Sequence, residues 1–295
     1  QATFFRQGVG DRAGATFGRF GVKHLAFAHA AMTDLGGRRF VHAGRMSRGA
    51  FGEAGFGASD RLAWIEGWEL VRRPDGTFGV KVADGDHGFD LVLAGVKPPV
   101  VHGAGGVSEK AKGEKGEPLI GRASHYYSLP RMSVSGTLTR AGVPLAVEGE
   151  AWFDHEWATN QLGPGQIGWN WMGLRLADGR ELMVYEMRRA DGQRDLASGG
   201  TLVAADGSGE GFGSGDFTLE PVRRWEGYPV EWRLRVPRHG LDLEVEAVLD
   251  GQEVHQPPVA YWEGWVEVRG SVGGSGYLEM TGYRKPFGAL GAGGR

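Results

Sequence analysis

The sequence predicts an all-β protein of two consecutive antiparallel β-barrels, residues 1–150 and residues 151–295, the first missing its opening strand or strands. Three observations carry that expectation. Hydrophobicity alternates with period two through most of the chain, the mark of strands with one buried face. Glycine occupies 53 of 295 positions, well above the usual ~7%, yet follows no three-residue period, which fits tight turns between many short strands. The third observation is an internal repeat.

Taken in order, TFFRQG (Thr3–Gly8) opens the chain as though already inside a strand. GVKHLAFAHAAMT (Gly21–Thr33) departs from alternation, and its low polarity predicts a short helix or a covering segment. FGVKVADG (Phe78–Gly85) and FDLVLAG (Phe89–Gly95) each alternate and end in glycine, as the arms of antiparallel hairpins do. VSEKAKGEKGEPLIG (Val107–Gly121) mixes charge with glycine and is expected to be a solvated insertion. RMSVSGTLTRAG (Arg131–Gly142) and LAVEGEAWFD (Leu145–Asp154) alternate again, and the join between the halves is expected near residues 145–165. The remaining strands are expected in WMGLRLADGRELMVYEMRR, VEWRLRVPRHGLDLEVEAVLDG and YWEGWVEVRGSVGGSGYLEMTGY, with GSGEGFGSGD (Gly207–Asp216) as a flexible loop.

Self-comparison supplies the domain plan. HGFDLVL (His87–Leu93) matches HGLDLEV (His239–Val245), and a Pro-Pro pair follows each, at 98–99 and 257–258. YYSLPRMSVSGTL (Tyr126–Leu138) parallels YWEGWVEVRGSV (Tyr261–Val272), and PLAVEGEAW (Pro144–Trp152) parallels GYLEMTGY (Gly276–Tyr283). TFFRQG resembles VYEMRRADG (Val184–Gly192), but only the second has a hairpin before it, hence the expectation of a missing opening strand. Closing each half into a barrel would remove exposed strand edges.

Composition narrows the function. A net charge of −3 with no block of Lys and Arg gives no source of affinity for a phosphate backbone, so nucleic acid is not an expected partner. No apolar run is long enough to span a bilayer. The absence of cysteine excludes disulfides, thiolate metal sites and cysteine nucleophiles. There is no G-x-S-x-G elbow, no phosphate-binding glycine loop, and HEWAT lacks the second histidine of a zinc helix, so no cofactor or metal is expected.

The densest chemistry lies in EGEAWFDHEW (Glu148–Trp157). As a strand it puts Trp152, Asp154 and Glu156 on one face and Phe153, His155 and Trp157 on the other. A carboxyl group held against tryptophan has its charged form disfavoured and can serve as an acid, so Asp154 is the candidate donor, with His155 or Glu156 to orient water. The plainer reading is that these carboxylates bond backbone amides or an arginine. Tyr126 and Tyr127 are candidates to offer phenol hydroxyls to a pocket, and Trp157, Trp169 and Tyr185 to surround a cation.

YYSLPRMSVSGTL, GEAWFDHEW, GWNWMGLRLADGRELMVYEMRR and YWEGWVEVRGSVGGSGYLEMTGY together resemble the AttH-like and carotenoid 1,2-hydratase family of two-domain lipocalin-like proteins, over Thr3–Tyr283. The resemblance implies two lipocalin-like barrels and a large apolar ligand such as an isoprenoid, polyene or other lipid. For characterised relatives it implies water addition to a terminal isoprenoid double bond, a hydro-lyase activity, or cyclisation of polyene chains. Many bacterial members carry a secretion signal, so a periplasmic or secreted location is implied, while the absence of cysteine is compatible with the cytoplasm as well. Trp152, Trp171, Trp262 and Glu263 are further candidate ligand contacts, with a structural role as the alternative for Trp169, Trp171 and Trp262; GWNWMGLRLADG can be read as a calycin signature, in which Trp169 or Trp171 closes a barrel floor beneath Arg188 or Arg284. Two alternatives stay open, a lipid carrier without catalysis and a secreted hydrolase.

Overall fold

The computed structural model describes residues 1–8, 22, 24–158, 162–256 and 259–286. The Pro-Pro pair at 257–258 and two residues of the Gly21–Thr33 segment, 21 and 23, lie outside them. By contacts the chain forms two compact units. One comprises Gln1–Met32, Phe40–Val96 and Met132–Ala151, the other Thr33–Arg39, Lys97–Arg131 and Trp152–Arg295.

The architecture is all-β, as expected, with curled antiparallel half-barrel sheets of lipocalin type. Helix is confined to two three-residue 3₁₀ turns among the described residues, Ala50–Gly52 and Pro237–His239, and no helix is long and apolar enough to cross a membrane. Strands β1 (Ala2–Gly8), β2 (His24–Asp34) and β3 (Arg39–Ser47) make a three-stranded sheet. Nine further strands form the second sheet: β4 (Ala54–Phe56), β5 (Arg61–Ile65), β6 (Trp68–Arg72), β7 (Phe78–Asp84), β8 (His87–Gly95), β9 (Val100–Val101), β10 (Val107–Glu109), β11 (Ala123–Arg140) and β12 (Val143–Ala158). Their order is β10-β11-β8-β7-β6-β5-β4, with β9 and β12 also paired to β11. The third sheet holds β13 (Gln166–Leu176), β14 (Glu181–Arg189), β15 (Gly199–Val203), β16 (Gly209–Gly213), β17 (Thr218–Trp225), β18 (Tyr228–Val236), β19 (Leu241–Ala247), β20 (Glu253–Gln256), β21 (Val259–Gly270) and β22 (Gly274–Met280). It runs β16-β15-β14-β13-β22-β21-β19-β18-β17, with β20 on β21.

The same pairing order occurs twice. β7-β8-β11-β12, with short β9 on β11, is matched by β18-β19-β21-β22, with short β20 on β21. One detail repeats to the residue. Gly136 (φ +148°) and Gly270 (φ +117°) lie against the carbonyls of Asp90 and Asp242, the aspartates of the repeated FDL and LDL, where a Cβ would collide. Glycine is required there because the strand must come closer than a side chain permits.

The Gly21–Thr33 expectation is corrected over its described part: residues 24–34 are strand β2, in register with β1 from Ala2↔Ala30 to Gly8↔His24. Ala26, Ala28 and Ala30 are buried at every second position against Ile65, Trp68, Val82 and Phe89. Alanine favours helix locally, but the ladder and the packed face override so weak a preference.

In the second unit the concave side of the third sheet is filled. Met172, Leu174, Leu182, Val184, Trp262 and Leu278 belong to one core cluster and are almost fully excluded from solvent. The outermost strand β16 meets the residue that precedes β17, Phe212 packing edge-on to Phe217 at 5.8 Å between ring centres. An oily chamber inside this half-barrel is therefore not what the residues build: its interior is a close-packed core.

Candidate functional site

Alternation that buries one face of the third sheet turns a second set of residues to its other face. On β13, Asn170, Met172, Leu174 and Leu176 are buried, while Trp169, Trp171 and Arg175 are only partly covered. Antiparallel register then aligns partners from five strands into one row: Glu263↔Glu279, Glu279↔Trp171, Trp171↔Tyr185 and Tyr185↔Gly199. Directly paired residues point to the same side, so chemistry from β21, β22, β13 and β14 converges there.

The segments 97–131 and 152–158 of the same unit supply the facing groups. They are held by a buried ionic cluster in which Lys97 Nζ meets Glu181 Oε2 at 2.7 Å and Arg131 Nε donates to Glu181 Oε1 at 2.7 Å. Glu181 is fully buried, so both cations are needed to offset its desolvation. On β11, alternation buries Ser124, Tyr126 and Ser128, and on β12 it brings Trp152, Asp154 and Glu156 to meet them.

Asp154 is the centre. Its Oδ1 accepts from the Trp152 indole N–H at 2.7 Å and, at close range, from the Ser128 hydroxyl; its Oδ2 accepts from the Tyr126 phenol at 3.0 Å. Trp171 donates its indole N–H to the same phenol oxygen at 3.0 Å, and its ring stands edge-on to Trp152 at 6.1 Å. Desolvation pushes the Asp154 carboxyl up to about 6, against three donors that favour the charged form, with Glu156 adding to the rise. The crowding is by protein atoms around the carboxyl, since residue 154 as a whole stays open to water. The Tyr126 phenol is driven well above its ordinary value, first by burial and then by the charges of Asp154 and Glu156, so it remains a donor.

A second carboxyl lies on the tryptophan row. Glu279 Oε1 accepts from the Trp169 indole at 3.2 Å. Burial raises it to about 7, and the charges of Glu156 and Asp154 add to the rise. Glu156 itself is held at 2.7 Å by Lys110 Nζ and at 2.6 Å by the Ser124 hydroxyl. Lys110 is buried, with its ammonium 5.1 Å from the ring centre of Tyr126 and 4.8 Å from that of Tyr185. This corrects the expectation of a solvated insertion at Val107–Gly121 for its first part alone: Ser108, Lys110 and Ala111 are buried, because a carboxylate and two ring faces replace the water that lysine would otherwise keep, whereas Glu114, Lys115, Glu117, Pro118, Ile120 and Gly121 are exposed.

Beyond Asp154 the polar contacts continue. The Ser128 hydroxyl lies 2.7 Å from His102 Nε2, and His102 Nδ1 lies 2.9 Å from Thr201 Oγ1. Burial first, and the Lys110 charge second, lower His102 to about 3, so the ring is neutral. Ser128 stands between His102 and Asp154, whereas a hydrolytic triad places histidine between serine and carboxylate. This cluster is therefore not a serine hydrolase site. A shallow cleft of about 320 Å³ opens beside it, lined by His102, Met183, Tyr185, Thr201, Phe212 and Asp216 over a floor of glycines. Among the described residues no group of three or more His, Asp or Glu side chains is arranged to hold a metal ion.

The structure brings together Asp154, Glu156, Tyr126, Trp152, Trp171 and Tyr185, and sets Trp169 and Glu263 on the same sheet face. His155, Tyr127 and Trp157 fall on the opposite face of the β11–β12 ribbon. There His155 Nδ1 meets the Tyr127 hydroxyl at 3.2 Å, and the His155 and Trp157 rings lie 4.8 Å apart. His155 is thus not placed to manage water for Asp154. Trp262 is fully buried, its indole N–H on the Asp250 carbonyl at 2.6 Å, and belongs to the core. The Arg188 guanidinium lies over Tyr283 at 3.6 Å and that of Arg284 over Tyr228 at 5.3 Å, not over Trp169 or Trp171, because those tryptophans face away from the core. Sequence reasoning missed His102, Lys110, Ser128, Thr201 and Glu279. Period two in SHYYS was a legible signal for Ser128 beside Tyr126, but nothing local announces Glu279, whose partners come through strand pairing.

A family model described as AttH-like matches residues 1–283. Among solved structures, an AttH protein of Nitrosomonas europaea is similar at 29% identity and TM-score 0.83, covering 96% of this chain and 86% of that one. Kievitone hydratase of Nectria haematococca is similar at 15% identity and TM-score 0.69, covering 89% and 80%. No curated protein matches significantly.

Proposed function

Because the chain belongs to the AttH-like family, we propose that it is a cofactor-free acid–base catalyst that adds water to, or shifts, a carbon–carbon double bond in a hydrophobic substrate of the isoprenoid, polyene or lipid class. The observation that carries this reading is the pair of carboxyl groups, Asp154 and Glu279, raised to about 6 and about 7 on a face walled by Trp152, Trp169 and Trp171. A group titrating near neutral pH holds its proton long enough to give it and lets it go easily enough to turn over. Asp154 protonates the alkene carbon, the indole faces and the Tyr185 ring stabilise the resulting cation, and the attacking water releases its proton to solvent. Tyr126 and Ser128 hold the Asp154 carboxyl in place, while Lys110 Nζ holds Glu156 in an ion pair. Kievitone hydratase has the same fold, so the fold is compatible with a hydratase.

The test begins with mass spectrometry of molecules extracted from the purified protein, followed by incubation of each unsaturated species in ¹⁸O water. Incorporation of ¹⁸O by the native protein and its loss in Asp154→Asn, with binding retained, is the expected result. Equal binding with no conversion by either protein would replace catalysis with a carrier role.

A further inference from the structure

Resting on the reading of Asp154 as the acid, we propose that Thr201, His102 and Ser128 form a proton wire that returns a proton to Asp154 from the cleft. The contacts run without a gap from Thr201 Oγ1 to His102 Nδ1 at 2.9 Å, from His102 Nε2 to Ser128 Oγ at 2.7 Å, and from Ser128 Oγ to Asp154 Oδ1. Ser128, His102 and Thr201 are all buried, and Thr201 and His102 line the cleft. The cleft meets the wire at one end and the acid sits at the other, so the wire is a route to Asp154 separate from the water that reaches residue 154 directly.

Donor and acceptor arithmetic fixes the direction. An ionised Asp154 can only accept, so Ser128 must spend its single proton on it. Ser128 then accepts from His102, which places the ring proton on Nε2 and leaves Nδ1 to accept from Thr201. After Asp154 has given its proton away, four hops restore it: Ser128 to Asp154, His102 Nε2 to Ser128, Thr201 to His102 Nδ1, and cleft water to Thr201. The hydroxide left behind is neutralised by the proton that the attacking water releases to solvent. Each O–H or N–H bond broken is matched by one formed, and no electrons change hands. The wire ends inverted, with Asp154 protonated, both hydroxyls turned and the ring proton moved to Nδ1. His102 is suited to this because it remains neutral, burial and Lys110 both opposing its charged form. The other titratable groups around the wire are Tyr126, whose ring lies 4.3 Å from that of His102, Glu156 beside Asp154, and Tyr185 and Asp216 across the cleft.

The tautomer of His102 is the readout, and it requires no substrate. In the full chain labelled with ¹⁵N-histidine, with the signal assigned through His102→Gln, the ring should stay neutral from pH 4.5 to 8. The protonated nitrogen should change from Nε2 to Nδ1 as the pH falls through the Asp154 titration, followed by its carboxyl ¹³C shift. In Ser128→Ala the link is cut, and the tautomer should no longer change with pH. A His102 that becomes imidazolium in this range, or a native tautomer that is the same on both sides of the Asp154 titration, overturns the wire. The two readings fail separately: a switching tautomer without any water addition sinks the reaction and leaves the wire, and ¹⁸O incorporation with a static tautomer does the reverse.

Discussion

The two faces of the ten-stranded sheet are built from the same strands and do opposite things. On the inner face Met172, Leu174, Leu182, Val184 and Leu278 interlock in a dry core. One residue along each strand, the outer face carries Trp171, Met183, Tyr185 and Glu279, and receives Asp154, Tyr126 and Lys110 from the segments packed on it. The difference teaches that this half-barrel fills its interior with a close-packed core and gathers its polar and ionisable groups on its exterior. The filled interior supplies a rigid floor, and carboxyl groups in strained protonation equilibria can be tolerated on it because the core beneath does not depend on them.

Substitutions on either face can break or sharpen that contrast. The largest effect is expected from Asp154→Asn, which should lower turnover of whatever alkene is converted by about 10²–10⁴-fold, with the unfolding midpoint in urea nearly unchanged. A matching loss of stability would mean that the outer face is structural after all. Glu181→Ala removes the anion between Lys97 and Arg131 and leaves two cations at a buried site. It should destabilise the protein by about 3–5 kcal/mol in denaturant titration and loosen the 97–131 segment in hydrogen exchange. Leu174→Ala, on the inner face, should cost about 2–5 kcal/mol through a cavity while leaving the Asp154 titration in place. Trp171→Phe keeps an aromatic ring but removes one hydrogen bond to Tyr126, and about 0.5–1.5 kcal/mol of stability should go with it.

A further expectation concerns the pH dependence of stability. Asp154 and Glu279 both have folded pKa values raised above their ordinary 3.8 and 4.5, to about 6 and about 7. The folded state therefore binds more protons than the unfolded chain in that window, and the contribution of these two groups to stability falls as pH rises from about 4 to about 7. Glu279→Gln should flatten the upper part of that slope in unfolding curves collected across the range. A slope of the opposite sign would show that these carboxyl groups are stabilised in their charged form.

Much of this was legible in the sequence. Period-two alternation gave the all-β class, and the HG-x-DL repeat marked two copies whose aspartates meet Gly136 and Gly270 in the same way. Alternation within AWFDHEW correctly separated Trp152, Asp154 and Glu156 from His155 and Trp157. It failed at Gly21–Thr33, where small alanines hid a strand whose identity depends on its ladder partner β1.

What the sequence determined by itself was the alternation of faces along each strand, because the side-chain direction follows from backbone geometry and is local. What only the tertiary structure decided was which faces meet. Trp171, Glu279 and Glu263 share a row through strand pairing, and His102, Lys110 and Ser128 close on Asp154 from segments distant along the chain. Strand register is set by the burial of many side chains at once, and a carboxyl's pKa by the atoms that displace its water. Neither is a property of any short stretch of residues, so Asp154 stood out in the sequence while its partners did not.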